Sequence, residues 1–178
     1  QSLLKNDPDQ SEFTEVAIGE KEGPRPRIAS FSSEKEEIHF IVEQLLAIGS
    51  RECNDVCVLH RHKGFLSSLS LQLTNVGIDV DRLDGNSSPV FGNSAVKLCT
   101  MSSIKGLQFD TVYIAGLSSD YLPMINDEDA EDGLNISTER RLLYTSMTRT
   151  KGDLVMTYTG APSRFVLEID QDLVDVSP

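Results

Sequence analysis

The sequence predicts an α/β fold in which a mostly parallel sheet is flanked by helices. Short β-branched or apolar runs alternate along the chain with segments whose apolar residues recur at helical spacing. Strands that alternate with helices imply crossover connections, and these place parallel strands between two layers of helices. A length of 178 residues fits a single domain.

The first half of the chain contains three predicted strands and two predicted helices. Residues 1–26 are polar, end in Gly-Pro-Arg-Pro and are interpreted as a linker or arm. Ser32 or Ser33 is expected to cap the first helix, whose apolar period stops at Gly49. In chain order, the elements are a strand at 27–31, a helix up to Gly49, a strand at 55–60, a helix from Phe65 to about Asn75, and a strand at 78–83.

The second half continues the same alternation. Ser137 or Thr138 is expected to cap a helix that runs to about Thr150, and the Lys-Gly-Asp sequence at 151–153 predicts a turn. The predicted strands lie at 96–100, 111–115 and 154–159. We therefore expect the domain to cover residues 27–170, with a tail at 171–178.

The charge of the chain restricts how it could contact nucleic acid. Sixteen basic and 28 acidic residues leave a net charge of -12, whereas polyanions are usually bound by basic surfaces. Acids crowd the stretch from Asp120 to Asp132, which contains no Lys or Arg and is interpreted as a solvated loop. Any contact with nucleic acid must therefore be local or shared with another domain.

The cysteines and histidines predict no metal site. Three cysteines, Cys53, Cys57 and Cys99, form an odd and sparse set that does not favour a disulfide framework or a four-ligand zinc site. Buried thiols are the simpler interpretation, together with solvated imidazoles at His60 and His62.

The chain lacks the sequence features of a membrane protein. No apolar run approaches the ~18 residues of a membrane span, and no charged-then-apolar leader opens the chain. We expect a cytoplasmic location. Because the first residue is Gln1 rather than Met, we also expect a segment of a longer protein.

A self-contained phosphate-binding site is not present in the sequence. The pattern G-x-x-x-x-G-K-[ST] after a strand does not occur. Asp127 and Glu128 could suggest a magnesium pair, but no apolar strand precedes them. From its residues alone, the chain is an α/β domain without a visible catalytic centre of its own.

Two segments of the sequence resemble known motifs and indicate a function. Residues 99–112 (CTMSSIKGLQFDTV) and 139–151 (ERRLLYTSMTRTK) closely resemble, in order, motifs V and VI of UvrD/Rep-type superfamily 1 helicases. That family shows T-x-H-x-x-K-G-L-E-F and E-E-R-R-L-x-Y-V-A-x-T-R-A-x. Shorter stretches at 116–123 (GLSSDYLP) and 162–165 (PSRF) are also similar to the family, and residues 55–66 resemble motif IV. The resemblance identifies the chain as a second RecA-like motor domain.

The resemblance implies a role for two arginines. In this family ATP with Mg²⁺ lies between two RecA-like domains, and the first domain carries the phosphate loop. Arg149 matches the motif VI arginine and Arg61 the motif IV arginine, which face the γ-phosphate across the cleft. A guanidinium suits this role because it is always charged and forks onto phosphate oxygens. The alternative for each residue is an ion pair with one of the many acids.

The resemblance also implies nucleotide and DNA contacts within motif V. Gly106 and Gln108 match positions beside the nucleotide, although the family usually has glutamate where Gln108 stands. Thr100 and Ser102 match positions that contact single-stranded DNA, and Ser102 replaces a frequent histidine; a strand end followed by a polar turn is the alternative. Lys105 is expected to couple the DNA and ATP sites, or else to be a solvated lysine.

One departure from the family leaves the partner open. UvrD and Rep have a large inserted domain between motifs IV and V, whereas only about twenty residues, 75–95, lie there in this chain. Short versions occur in the HelD-like branch, whose members act on RNA polymerase. The expected function is the motor domain of an ATP-dependent DNA helicase or translocase, and the isolated chain is expected to be inactive. The alternatives are a HelD-like ATPase and a non-motor interaction module.

Overall fold

The computed structural model describes most of the chain. The described residues are Leu3, 23–49, 53–83, 94–104, 106–124 and 133–177. Most of the expected arm, Lys105 and the acidic stretch 127–132 lie outside them. No helix among the described residues is long and apolar enough to cross a membrane.

A seven-stranded sheet forms the centre of the domain and confirms the predicted α/β class. The strands are β1 Arg27–Phe31, β2 Val56–His60, β3 Val80–Leu83, β4 Val96–Thr100, β5 Phe109–Ile114, β6 Thr150–Thr159 and β7 Asp175–Ser177. Their order across the sheet is β3-β4-β2-β5-β6-β1-β7, and every strand pair is parallel.

Helices cover both faces of the sheet, as expected for a parallel sheet with crossover connections. They are α1 Glu34–Ile48, α2 Lys63–Asn75, α3 Gly133–Met147 and the short α4 Arg164–Leu167. One core joins α1 and α2 to the sheet through Ile41, Leu45, Leu69 and Leu73. The other joins α3 and α4 to the opposite face through Leu143, Phe165 and Val166.

The first helix begins and ends as the sequence predicts. Ser33 is the N-cap, and its side chain accepts a hydrogen bond from the Glu36 backbone N–H. The Glu36 carboxylate in turn accepts from the Ser32 backbone N–H at 3.1 Å, so the acid in the first turn and the serines before it satisfy one another. Gly49 is the C-cap.

Two boundaries in the second half differ from the prediction. Helix α3 begins at Gly133, so Ser137 is not a cap but a buried residue within the helix. Strand β6 begins at Thr150, and the predicted turn at 151–153 belongs to the strand. Pairing with β5 overrides the local preference for a turn, and β6 has one extra residue in this register. Gly152 fits there because a Cβ atom would lie 2.9 Å from the Asp110 carbonyl oxygen.

The end of the chain also contributes to the sheet. Residues 171–177 were expected to form a tail, but Asp175–Ser177 forms β7 and pairs with β1. The Asp175 backbone N–H donates to the Pro26 carbonyl oxygen at 2.9 Å, and Val174 is buried. The domain therefore extends beyond residue 170.

Candidate functional sites at the two edges of the sheet

The motif residues fall at two opposite edges of the parallel sheet. Arg61 follows the carboxyl end of β2, and Thr100 ends β4 with Ser102 just beyond it; we call this side the carboxyl edge. Gln108 immediately precedes β5, and Arg149 immediately precedes β6; with Gly106 they define the amino edge. Strands of five residues separate the two edges by about 17 Å, given a rise of ~3.3 Å per residue. The structure therefore does not bring Arg61 and Arg149 to one edge.

Arg149 and Gln108 are neighbours at the amino edge. The Phe109 backbone N–H donates to the Arg149 carbonyl oxygen at 2.9 Å, and Phe109 is paired with Thr150 in the sheet. Gln108 is exposed. Pairing of β5 with β6 thus places Gln108 of the motif V segment beside Arg149 of the motif VI segment, although 40 residues lie between them in sequence.

The Arg149 guanidinium has no acidic partner among the described residues. Its Nε donates to the Thr145 carbonyl oxygen at 3.1 Å, and Nη2 donates to Thr148 Oγ1 at 3.3 Å. These contacts use two of the five N–H donors of an arginine and hold the side chain against the end of α3. The ion pair considered from the sequence is therefore not formed within the described part of the chain.

Gly106 has a backbone that favours glycine. Its φ is +85°, in the region that other residues rarely adopt. The turn is closed by the Leu107 backbone N–H, which donates to the Ile104 carbonyl oxygen at 3.1 Å. Gly106 and Gln108 are both exposed in the loop that precedes β5. Lys105 lies outside the described residues.

At the carboxyl edge, Arg61 is already engaged. Its Nε and Nη2 donate to the two carboxylate oxygens of Glu139 at 3.1 and 2.9 Å, and the two side chains are 20% and 9% exposed. Glu139 also accepts a hydrogen bond from the Met124 backbone N–H. This bidentate pair ties β2 to α3, so Arg61 forms the ion pair that was the alternative to its catalytic role.

Thr100 and Ser102 remain accessible at the same edge. The hydroxyls of Thr100 and Ser103 are 2.8 Å apart, Thr100 is half-buried and Ser102 is exposed. Met101 and Ile104 are 1% exposed and anchor this turn in the core. The hydroxyls therefore lie on a short, well-packed turn rather than on a long loop.

His60 is a buried residue that the sequence interpretation placed in solvent. Its ring stacks on Phe65 with 4.2 Å between ring centroids, and the His62 backbone N–H donates to Nδ1 at 2.8 Å. Burial lowers the pKa of His60 to about 4. The ring fits only because residue 116 is glycine with φ +70°, since a Cβ there would lie 2.0 Å from His60 Nε2. The three cysteines, by contrast, are buried, as expected.

Glu37 is a second buried group that the sequence interpretation missed. It lies on α1 and is 1% exposed. Its carboxylate accepts hydrogen bonds from the Gly116 backbone N–H and from the hydroxyls of Thr157 and Thr159, at 2.8, 2.6 and 2.8 Å. The available signal was its place beside Ile38 and Ile41 in the apolar stripe of α1. Glu37 thus fixes α1 against the carboxyl ends of β5 and β6.

Part of the chain is similar to known helicases. Residues 84–161 match the UvrD-like helicase C-terminal domain. The ATP-dependent DNA helicase PcrA of Staphylococcus epidermidis is 34% identical over 122 residues, which are 62% of this chain and 15% of that protein. The ATP-dependent DNA helicase Rep of Buchnera aphidicola is 39% identical over 88 residues, or 43% of this chain and 13% of that protein. The matches thus span a small share of these relatives' length.

A solved structure supports the fold over nearly the whole chain. The C-terminal domain of a possible DNA helicase from Lactobacillus plantarum superposes with a TM-score of 0.66 at 19% identity, covering 90% of each chain. At that identity the likeness concerns the fold alone. Together, these findings confirm the resemblance to the second RecA-like domain of UvrD/Rep-type superfamily 1 helicases.

Proposed function

On the premise of this confirmed resemblance, we propose that the chain is the C-terminal motor domain of an ATP-dependent DNA helicase or translocase. Its amino edge faces ATP, which is held mainly by a first RecA-like domain of the same protein. Its carboxyl edge forms part of the track for single-stranded DNA. The relatives named above are ATP-dependent DNA helicases, which supports both halves of the proposal.

The main support at the amino edge is the state of Arg149. In a chain with 28 acidic residues, its guanidinium is free of carboxylates among the described residues and lies beside the exposed Gln108. A charged fork with unused donors suits the γ-phosphate, where it stabilises the charge of the transition state. Gln108 offers an acceptor oxygen for a ribose hydroxyl. ATP with Mg²⁺ supplies the phosphoryl group, and these residues position and stabilise it.

Arg61 fits a different role from the one that its motif implied. A phosphate contact would require it to leave Glu139, and the loss of one partner from a half-buried pair is costly. It also lies at the edge opposite Arg149. We therefore propose that Arg149 is the catalytic arginine of this domain, and that Arg61 positions the carboxyl edge through its link to α3.

The connection between β4 and β5 is the shortest covalent path between the two proposed sites. It runs from Thr100 at the carboxyl edge to Phe109 at the amino edge, and residues 101–108 must cross the height of the sheet. Eight residues span at most about 28 Å when fully extended, so a connection that includes a 3₁₀ turn has little slack. We propose that Lys105, within this connection, couples DNA binding to the ATP site.

The test is the steady-state ATPase rate of the full-length protein alone, with single-stranded DNA, and with RNA polymerase. We expect strong stimulation by single-stranded DNA. Stimulation by RNA polymerase alone would contradict the DNA track and transfer the motor to a protein partner. Absence of any ATPase activity would favour a non-motor interaction module.

The isolated chain provides a second test. We expect a clean preparation of these 178 residues to hydrolyse no ATP, because its sequence contains no phosphate loop. Robust turnover by that preparation would contradict the division of the ATP site between two domains.

A further inference from the structure

A groove of about 370 Å³ lies beside Thr100 at the carboxyl edge. It lies where α2, β3 and β4 meet, and Lys63, Arg82, Thr100 and Ser103 contribute its polar side chains. Its described lining contains two cations and two hydroxyls but no carboxylate. The groove is therefore continuous with the proposed DNA contact and extends it toward the β3 side of the sheet.

The two cations of the groove differ from several other basic residues of the domain. Arg61, Arg140 and Lys151 each pair with a carboxylate, whereas no ion pair within 4.0 Å involves Lys63 or Arg82 in the described part of the chain. Arg82 donates from Nη1 to Ser67 Oγ at 3.1 Å, which holds its guanidinium against α2.

The acid next to Arg82 on β3 is Asp81, and it has a different basic partner. The Asp81 carboxylate lies 3.6 Å from Lys97 Nζ, and neighbouring residues of a strand point to opposite faces. Asp81 therefore neutralises the buried Lys97 rather than Arg82. A local positive site thus persists in a chain whose net charge is -12.

We propose that this groove binds a backbone phosphate of single-stranded DNA next to the nucleotide that contacts Thr100 and Ser102. The Arg82 guanidinium can fork onto two phosphate oxygens, and Lys63 adds a mobile point charge. Because the Thr100 and Ser103 hydroxyls are hydrogen-bonded to each other, one of them keeps a proton to donate to the same group. The inference rests on the proposed DNA track and assigns it two cations outside the helicase motifs. It also explains how an acidic domain can hold a polyanion locally.

The experiment measures binding of a thymidine oligonucleotide to the full-length protein by fluorescence anisotropy, over a range of salt concentrations. Arg82→Ala and Lys63→Ala are compared singly and together with the unchanged protein. The slope of log K for binding against log salt is negative, and each lost phosphate contact should make it less steep by about 0.7 for a single strand. We expect the double variant to bind about tenfold more weakly at low salt, with its DNA-independent ATPase rate unchanged.

Arg27→Ala is the matched control, because Arg27 is an exposed strand arginine at the amino end of β1. It should leave the affinity and the salt slope unchanged. An unchanged affinity and slope in the Lys63 and Arg82 variants would overturn the proposal. The proposal would also be overturned if the variants weakened binding of a single-stranded RNA in the same assay but not binding of the thymidine oligonucleotide, because the groove would then belong to a different polymer.

Ser102→Ala distinguishes a failure of this inference from a failure of the proposed function, because Ser102 belongs to the proposed track but does not line the groove. If Ser102→Ala weakens DNA binding and the Arg82 variant does not, the track stands and the groove is excluded from it. If the unchanged protein neither binds single-stranded DNA nor is stimulated by it, the proposed function and this inference both fail.

Discussion

The two motif arginines lie at opposite edges of the sheet and differ in how completely they are satisfied within the domain. At the carboxyl edge, Arg61 is held by both carboxylate oxygens of Glu139, and nearby the Glu37 carboxylate accepts three hydrogen bonds. At the amino edge, the contacts of the Arg149 guanidinium in the described part of the chain are with a carbonyl and a hydroxyl at the end of its own helix. Arg61 is locked in an ion pair, whereas Arg149 presents a charge without an acidic partner in the described residues.

This difference supports the proposal that Arg149, rather than Arg61, acts on the phosphate of ATP. Acids outnumber bases in this chain, so an arginine that only stabilises the fold readily finds a carboxylate, as Arg61 and Arg140 do. Arg149 lies in a segment that resembles a helicase motif and has no carboxylate partner among the residues that the structure describes. Unused donors are expected where the partner is a ligand or another domain, because the isolated domain cannot supply that partner.

Replacement of Arg149 should give the largest effect and tests the amino edge directly. Arg149→Ala in the full-length protein should lower kcat for ATP hydrolysis by about 10³, the scale measured for arginine fingers. Arg149→Lys should restore little, since an ammonium lacks the planar fork.

Arg61→Ala is the control from the carboxyl edge and should keep kcat within about tenfold. Equal losses in the two variants would break the proposed division between the edges. A loss below tenfold for Arg149→Ala would return that residue to a structural role.

Acidification should weaken the carboxyl edge through His60. Burial lowers the pKa of His60 to about 4 from 6.5, so the unfolded chain takes up the proton first as the pH falls. The contribution is fully present above pH 6.5 and is lost as the pH falls toward 4, by about 3 kcal/mol in total.

Urea unfolding of this chain at pH 7 and pH 4 measures the change in the free energy of unfolding. His60→Gln is the control, because the carboxyl groups of the chain titrate over this range in both proteins and only the imidazole differs. The unchanged chain should lose about 3 kcal/mol more than the variant. Equal losses would mean that His60 titrates normally and is not buried in solution.

The pair between Arg61 and Glu139 should give a smaller effect, confined to stability. Arg61→Ala and Glu139→Gln should each lower the free energy of unfolding by about 2 kcal/mol, because each leaves the other group half-buried and unpaired. In a double-mutant cycle the losses should overlap, with a coupling energy of about 1–3 kcal/mol. Additive losses, measured by urea unfolding, would show that the bidentate contact does not persist in solution.

The strands and helices could largely be predicted from sequence, whereas long-range pairing could not. Apolar periodicity and capping residues located α1, α2 and β4 because these depend on neighbours within a few residues. The start of β6 depends on pairing with β5 and on the close approach of Gly152 to Asp110. No local pattern contains that information, so the turn at 151–153 was predicted instead.

The same limit applies to the sites. Motif resemblance proposed roles for Arg149, Gln108 and Thr100 and placed Arg61 in the same cleft as Arg149, whereas the two arginines lie at opposite edges of the sheet. The partner of Arg61 is 78 residues away in sequence, and its edge of the sheet follows from strand order. His60 was expected in solvent because it is polar, yet β2 is a central strand that is buried along its whole length. A polar ring buried in such a strand needs space beside it. Gly116, just after the end of β5, leaves that space because it has no Cβ atom.

The smallest expected effect concerns Gln108 and sharpens the nucleotide assignment of the amino edge. Gln108→Glu would add a charged acceptor, and hydrogen bonds to charged groups are roughly twice as strong as neutral ones. If Gln108 contacts the ribose, the variant should increase the preference for ATP over dATP, measured as the ratio of kcat/KM values, by about three- to tenfold. The exposed Gln171, far along the chain in the turn before β7, offers a control substitution to glutamate that should leave the ratio unchanged. An unchanged ratio for Gln108→Glu would remove Gln108 from the ribose contact while leaving Arg149 at the phosphate. The amino edge would then contact the phosphate end of ATP, which the first domain also binds, and not the ribose.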